Sequence, residues 1–279
     1  MKDPHTPLWT DAVGGLAQRR EIAPWILLSW PSLDSTNAAA QRLLHLPTGS
    51  GGEDLHRHVL ITPEQTAGRG QQNRPWHGDR GADLAMSVVL TEGLPARHPF
   101  ALNLAVSLAV LEGVELAMPA LGRRHWDIKW PNDLMLDGGK AGGILIENSW
   151  RGSGWSSAVI GIGINVAGRP PYPNAVRLLK DPLNAAESHL QVDAIRAAIL
   201  RRLDDRLAEM ASPEALLRQY HERLMGWGKA QRWQLDGVEI RGTLEAIDLE
   251  GRLCVALPDG GSQCFSPGEA GWLGMEPDA

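Results

Sequence analysis

The sequence predicts an α+β fold, a mixed and largely antiparallel sheet with helices, followed by a small β-rich module. Three observations carry this. Helical and strand periodicities alternate through the first 225 residues. Glycine-containing pairs that favour tight hairpins recur along the chain. After Gly226-Trp227-Gly228 the rhythm shortens to strands separated by Asp236-Gly237, Glu250-Gly251 and Asp259-Gly260-Gly261, whose glycines supply the positive φ that hairpin turns need. The chain is therefore divided into a large unit, 1–225, whose first 30 residues form an N-terminal extension, and a small barrel-like unit, 226–279.

In chain order, Asp34 or Ser35 caps a helix reaching Leu44, because a short polar side chain accepts from the free N–H groups of a first turn. An apolar run from His58 to Thr62 and a strand-like Asp83 to Leu90 flank a glycine-rich loop. Pro99 opens a second helix to about Met118. Asp127 to Leu136 and Lys140 to Trp150 read as two strands joined at Asp137-Gly138-Gly139. Alternation over Val159 to Val166 puts Gly161 and Gly163 on one face, where the missing side chains leave room for a ring system. Asp193 to Met210 shows apolar residues at helical spacing, and a fourth helix runs from Pro213 to Leu224.

Composition narrows the classes. With 279 residues, 43% of them hydrophobic, the chain buries a sizeable core. A net charge of −6, without basic patches outside the proposed site, argues against DNA. Ala101 to Met118 is interrupted by Asn103, Glu112 and Glu115, so no membrane span is expected. Trp25 to Trp30 is too short and too far in for a signal peptide, and a cytoplasmic location follows. Cys254 and Cys264 flank a turn, show no metal spacing, and are read as reduced structural thiols.

Two blocks carry chemistry. Lys129-Trp130-Pro131-Asn132-Asp133 followed by Lys140-Ala141-Gly142-Gly143-Ile144-Leu145-Ile146-Glu147 gathers lysine, amide and carboxylate at one end of a sheet, with glycines that admit a ligand to the backbone. Such a set can neutralise phosphate, bond a base or sugar and accept a proton. Upstream, Gln65-Thr66-Ala67-Gly68-Arg69-Gly70-Gln71-Gln72-Asn73-Arg74-Pro75-Trp76 can wrap an anion with backbone N–H groups and two guanidinium forks. Neither the dinucleotide fingerprint nor a P-loop occurs.

These blocks, with Asp34-Ser35-Thr36-Asn37 before them and Val159-Ile160-Gly161-Ile162-Gly163-Ile164-Asn165-Val166 after, make four in order over residues 34–166. On them the chain resembles a biotin protein ligase, in the form without an N-terminal DNA-binding domain. Only 34 residues precede Ser35, and Pro4, Pro7, Pro24, Pro31 and Gly14-Gly15 among them are poor material for three packed helices. The resemblance implies a class II synthetase-like catalytic domain with a small C-terminal SH3-like β-barrel. It implies ATP and biotin as substrates, Mg2+ with the nucleotide, and a lysine of biotin carboxyl carrier protein as acceptor, through biotinyl-5′-AMP. Monomer and homodimer both stay open.

Residue by residue, the resemblance puts Ser35, Thr36 and Asn37 at the ureido ring of biotin, with Gln65 and the backbone of Gly68, Gly70 and Gly143 also on biotin. Gly161 and Gly163 make room, and Leu145 and Trp76 supply apolar wall. Lys140 lies against the biotin carboxylate and the phosphate. Arg69 and Arg74 hold phosphate, and Asp133 is the base or electrostatic guide for the incoming lysine. Asn132 and Asn165 read adenine or ribose; no residue is assigned to a metal. Lys129 is read as an exposed strand lysine. Two departures stand out: Gln71 occupies a position where many members carry arginine, and Pro267-Gly268-Glu269-Ala270-Gly271-Trp272 lacks the arginine that often follows the Gly-Glu pair. The alternatives are a lipoyl or octanoyl protein ligase of the related fold and a non-catalytic biotin or adenylate sensor.

Overall fold

The computed structural model describes Val13 and residues 18–46, 54–95, 97–121, 124–170, 172–180 and 183–275. Gln18–Ile22 (β1) and Trp25–Ser29 (β2) form an antiparallel hairpin that starts a large sheet. The part of the expected N-terminal extension from residue 18 onward is thus integral to the fold; except for Val13, residues 1–17 lie outside the described residues. Thr36–Leu44 (α1) follows, with Ser35 as N-cap accepting from the Ala38 amide. His58–Ile61 (β3), Leu84–Leu90 (β4), Trp126–Lys129 (β5), Asp133–Leu136 (β6), Gly139–Arg151 (β7) and Gly154–Ile164 (β8) complete the sheet in the order β1-β2-β3-β4-β8-β7-β6-β5. Only β2–β3 is parallel, so the sheet is mixed and largely antiparallel as expected.

Both faces of this sheet are buried, and the pleat divides the side chains between two cores. Leu27, Val59, Val88 and Ile160 point into the larger core, while their neighbours Leu28, Leu60, Val89 and Val159 pack with Ala39, Ala40 and Leu43 of α1. The larger core centres on Phe100–Ala117 (α2). By length and composition α2 is the one described helix that could cross a membrane, yet most of it is enclosed within the protein. Gly113 lets it meet Ala185–Ala208 (α3) closely, because a Cβ there would stand 2.6 Å from the Ile199 Cα. Pro213–Glu222 (α4) packs against α2, with Tyr220 edge-on to Phe100.

Two expectations change. The strand predicted over Asp127 to Leu136 is broken at Trp130-Pro131-Asn132: Pro131 has no N–H to give a ladder, and Lys129 pairs directly with Asp133 around the turn. Helix α3 begins eight residues before the predicted Asp193, because Asn184 and Glu187 form a reciprocal capping box ahead of the first buried apolar residue, Val192. The turn falls at Asp137 and Gly138; Gly138 has the positive φ expected of the turn glycines, but the second such residue is Asp137 and not Gly139, which already starts β7.

The C-terminal part is a five-stranded sheet: Ala230–Leu235 (β9), Val238–Ile247 (β10), Leu253–Ala256 (β11), Ser262–Phe265 (β12) and Ala270–Met275 (β13), in the order β12-β11-β10-β9-β13. It is docked on the large unit. The Trp130 indole donates to the Gly251 carbonyl at 3.0 Å, and the Ile247 amide donates to His221 Nε2 at 3.1 Å. The expectation of reduced thiols is overturned. Cys254 and Cys264 stand directly opposite on β11 and β12, with Cα atoms 4.0 Å apart, and are joined as a disulfide.

Candidate active site

A cavity of about 650 Å³ opens above the face of the large sheet that carries α1, between the 65–76 loop and the C-terminal sheet. At one end sits a buried polar cluster. Capping by Ser35 fixes the first turn of α1, which brings Thr36 and Asn37 over β4 and β8. The Thr36 amide donates to Gln65 Oε1 at 2.8 Å, and the Ser87 hydroxyl lies 2.7 Å from Thr36 Oγ1 and 2.5 Å from Asn37 Oδ1. Asn37 Nδ2 donates to Glu147 at 2.8 Å. Ser35, Thr36, Asn37 and Ser87 are almost wholly inaccessible, so their hydrogen bonds specify one arrangement.

Gly161 and Gly163 do share a face, but the room they leave is used. A Cβ at Gly161 would overlap the Asn37 amide, and one at Gly163 would overlap the Trp76 indole. The two glycines thus seat one amide and one aromatic wall against β8. Gly68 lies under this wall, with its carbonyl accepting from the Trp76 amide at 2.9 Å, and does not line the cavity.

In the middle, Lys140 Nζ donates to Asp133 Oδ1 at 2.5 Å. Both converge over Gly143, where a Cβ would stand 3.6 Å from each charged end. Asn132 lines this part, with its amide bonded to the Ile144 carbonyl. Asn165 does not reach the cavity. Its amide donates to the carbonyls of Lys140 and Val176 at 3.3 and 3.1 Å, holding the 174–178 segment against the strand that presents Lys140.

The loop over the cavity is tied to itself and at its ends. Gly70 donates to the Arg74 carbonyl at 2.7 Å, and Tyr172 holds the Pro75 carbonyl at 2.9 Å. Arg69 pairs with Glu147 at 3.3 Å, Arg74 touches Gln72 at 3.3 Å, and Gln71 is exposed at the rim. The far wall comes from the C-terminal sheet. Lys129, read from sequence as an exposed strand lysine, is half-buried, with Nζ 4.5 Å from the centre of the Trp272 ring. Burial holds its pKa below the ordinary lysine range, Asp133 acting against this and Lys140 and Arg74 adding to it. Trp272 is itself fixed by donating to Gln231 at 2.9 Å.

Of the residues expected at the site, Ser35, Thr36, Asn37, Gln65, Arg69, Gly70, Gln71, Arg74, Trp76, Asn132, Asp133, Lys140, Gly143, Leu145, Gly161 and Gly163 all line this cavity, and Gly68 and Asn165 do not. Residues without a predicted role are Ser87, Glu147, Lys129, Trp272 and Gln231. Strand alternation points to two of them: Glu147 follows Gly143 and Leu145 on one face, and Lys129 lies opposite the core side chain Ile128. Trp272 and Gln231 meet the site only through tertiary docking.

The arrangement offers a buried polar cluster at one end, a lysine–carboxylate pair at the middle, and arginines with a further lysine around the opening. Such a set can stabilise negative charge at the middle and the opening. Comparisons agree with it. Residues 53–165 match the Biotin/lipoate A/B protein ligase family. The chain is 33% identical over 238 residues to the biotin--[acetyl-CoA-carboxylase] ligase of Mycobacterium tuberculosis, covering 81% of this chain and 84% of that protein. It is 30% identical over 254 residues to the bifunctional ligase/repressor BirA of Bacillus subtilis, covering 89% and 74%. The solved structure of the biotin protein ligase from Aquifex aeolicus in complex with biotin and ATP aligns with a TM-score of 0.66 at 23% identity, over 88% of this chain and 97% of that one, a likeness of fold.

Proposed function

The chain belongs to the biotin protein ligase family, and we propose that it activates biotin with ATP to biotinyl-5′-AMP and passes the biotinyl group to a lysine of the biotin carboxyl carrier protein of acetyl-CoA carboxylase. The observation that carries this reading is the Lys140–Asp133 pair over Gly143, set between the buried Ser35–Asn37 cluster and the arginine loop. A carboxylate is a poor electrophile, so it must first attack the α-phosphorus of ATP and expel pyrophosphate. Charge gathers on phosphate oxygens in that step, and a fixed cation in a water-poor site stabilises it by several kcal/mol.

In this reading Thr36, Asn37 and Gln65 hold the ureido ring, Leu145 walls the apolar part of biotin, Trp76 supplies apolar wall on the adenylate side, and Lys140 meets both the biotin carboxylate and the α-phosphate. Arg69 and Arg74 turn to phosphate. Once Lys140 is engaged by the anhydride, Asp133 is free to draw in the carrier lysine and take its proton, since an ammonium cannot attack. Asn132 is assigned to adenine or ribose. Asn165 acts behind the site, by holding the 174–178 segment against Lys140.

Magnesium is expected with the nucleotide. Among the described residues no three His, Cys, Asp or Glu gather, and Asp133 is the one carboxylate lining the cavity, which suits an ion held mainly by phosphate oxygens and water. When bound it neutralises polyphosphate charge. The enzyme is read as cytoplasmic. A lipoyl or octanoyl ligase is the second reading, since the matched family includes both chemistries; the names of the similar proteins favour biotin. A pure sensor would have no use for the Lys140–Asp133 pair. The test is mass spectrometry of the carrier protein after incubation with the chain, ATP, magnesium and either biotin or lipoate. Biotinylation at one lysine is expected, and lipoylation without biotinylation would refute the reading.

A further inference from the structure

The two lysines of the cavity differ in charge balance. Lys140 is ion-paired to Asp133 at 2.5 Å. Lys129, among the described residues, makes no ion pair; its Nζ faces the Trp272 ring at 4.5 Å and the cavity. An indole face attracts the ammonium without neutralising it. That face is held rigidly, because Trp272 donates to Gln231 and the buried Gln231 donates to the Gly226 carbonyl at 2.8 Å. The result is a positioned cation without an ion pair among the described residues, influenced by Asp133 only at longer range and facing the cavity.

Its place across the sheet says which part of the ligand. The cavity residues run in order from β8, with Gly161 and Gly163, through β7, with Gly143 and Lys140, and β6, with Asp133, to β5, with Lys129. Neighbouring strands lie about 4.8 Å apart, so the backbone of Lys129 stands roughly 14 Å across from β8, while that of Lys140 stands roughly 5 Å from it, with its ammonium reaching on to Asp133 of β6. Biotin, in the reading above, occupies the β8 side and presents its carboxylate at Lys140. Displacement at phosphorus sets the attacking and leaving oxygens roughly in line. The leaving group therefore departs toward β5.

Resting on that ligase reading, we propose that Lys129, positioned by Trp272, binds the β- and γ-phosphates of ATP and receives the departing pyrophosphate. In this step a biotin carboxylate oxygen bonds to the α-phosphorus, and the bond from that phosphorus to its bridging oxygen breaks. The electron pair stays on pyrophosphate and no proton moves. The new negative charge on the bridging oxygen meets the Lys129 ammonium. Lys129 thereby serves the first half-reaction alone, because pyrophosphate is gone before the carrier lysine attacks.

The test uses the full chain with Lys129→Met, Lys129→Arg and Trp272→Leu. ATP–pyrophosphate exchange in the presence of biotin reports the first half-reaction, and transfer from purified biotinyl-5′-AMP to carrier reports the second. Lys129→Met should raise the KM for ATP and for pyrophosphate about tenfold or more, as expected for a lost charge-assisted contact. It should leave biotin affinity and the transfer from preformed adenylate unchanged. Lys129→Arg should restore most of the pyrophosphate affinity, and Trp272→Leu should show a weaker form of the methionine phenotype. Wild-type pyrophosphate affinity in Lys129→Met, or an equal loss in both half-reactions, would overturn the assignment while leaving the ligase reading intact. Absence of exchange in the wild-type chain would overturn both.

Discussion

The two ends of the cavity are built on opposite principles. At the β8 end, Thr36, Asn37 and Ser87 are buried and bonded to one another and to Gln65 and Glu147, and the buried Ser35 caps the helix that carries Thr36 and Asn37, so the polar groups are fixed before any ligand arrives. At the opening, Arg69, Gln71 and Arg74 are exposed, and the loop that carries them is held mainly by bonds within itself and by Tyr172 at Pro75. The difference teaches where specificity and where capture reside. In the ligase reading proposed above, the rigid buried network selects one neutral ring by the cost of leaving any of its members unpaired. Exposed guanidinium groups instead gain their strength when phosphate comes in and water leaves.

Substitutions can break this contrast in graded steps. The largest effect is expected between the two ends: Lys140→Ala should lower adenylate formation by on the order of 10²-fold or more, because a preorganised cation at developing charge is removed. A pyrophosphate-release rate near wild type would show that Lys140 has no such role. Next comes the rigid end. A Cβ at Gly161 would overlap the Asn37 amide, whose partners Ser87 and Glu147 leave it little freedom to move. Gly161→Ala should therefore cost about 1–3 kcal/mol as overpacking, read as lost biotin affinity and a lower Tm. Gly143→Ala is the control: a Cβ there makes contacts of 3.6 Å, ordinary packing, so Tm should hold.

The open end should respond more gently. Gln71 can donate a hydrogen bond but carries no charge, so Gln71→Arg should slow escape of biotinyl-5′-AMP by a factor corresponding to about 1 kcal/mol, with the fold unaffected. A chase of labelled adenylate measures it, and unchanged or faster release would mean that position 71 does not face phosphate. The smallest effect concerns the docked wall. His221 accepts from the Ile247 amide and stacks on Trp227, and burial holds its pKa below the ordinary histidine value. The unfolded chain then takes up the proton first, so stability is lost as pH falls below about 6.5. The drop in Tm from pH 7 to pH 5.5 should be smaller in His221→Gln than in wild type.

The same contrast explains how much was legible in the chain. The rigid end was readable because its parts are local: a serine cap before a helix, alternating glycines in a strand, an Asp-Gly hairpin. The order of four blocks joined these parts into one site, and the cavity contains nearly every residue they named. Asn165 was misassigned as a ligand contact because an asparagine after a strand looks the same whether it faces a ligand or bonds the backbone of a neighbouring segment. Lys129 was read as solvent-facing because the indole covering it lies 143 positions later, on a sheet whose docking leaves no periodic signature. The disulfide escaped for a similar reason: spacing across a turn does not set the register that puts Cys254 opposite Cys264. The early start of α3 depends on a cap, since residues 185–191 mostly face solvent and carry no core pattern.

Backbone hydrogen exchange separates a preformed end from one completed by its ligand. Amides of 35–40 and 159–164 should already be strongly protected in the free chain and change little when biotin, ATP and magnesium are added. Amides of 69–76 should exchange quickly in the free chain and become protected with the full set of substrates. A loop protected equally with and without ligands, or a ligand-dependent gain at Thr36 and Asn37 as large as that in the loop, would contradict the division of the cavity into a rigid selecting end and an open capturing one.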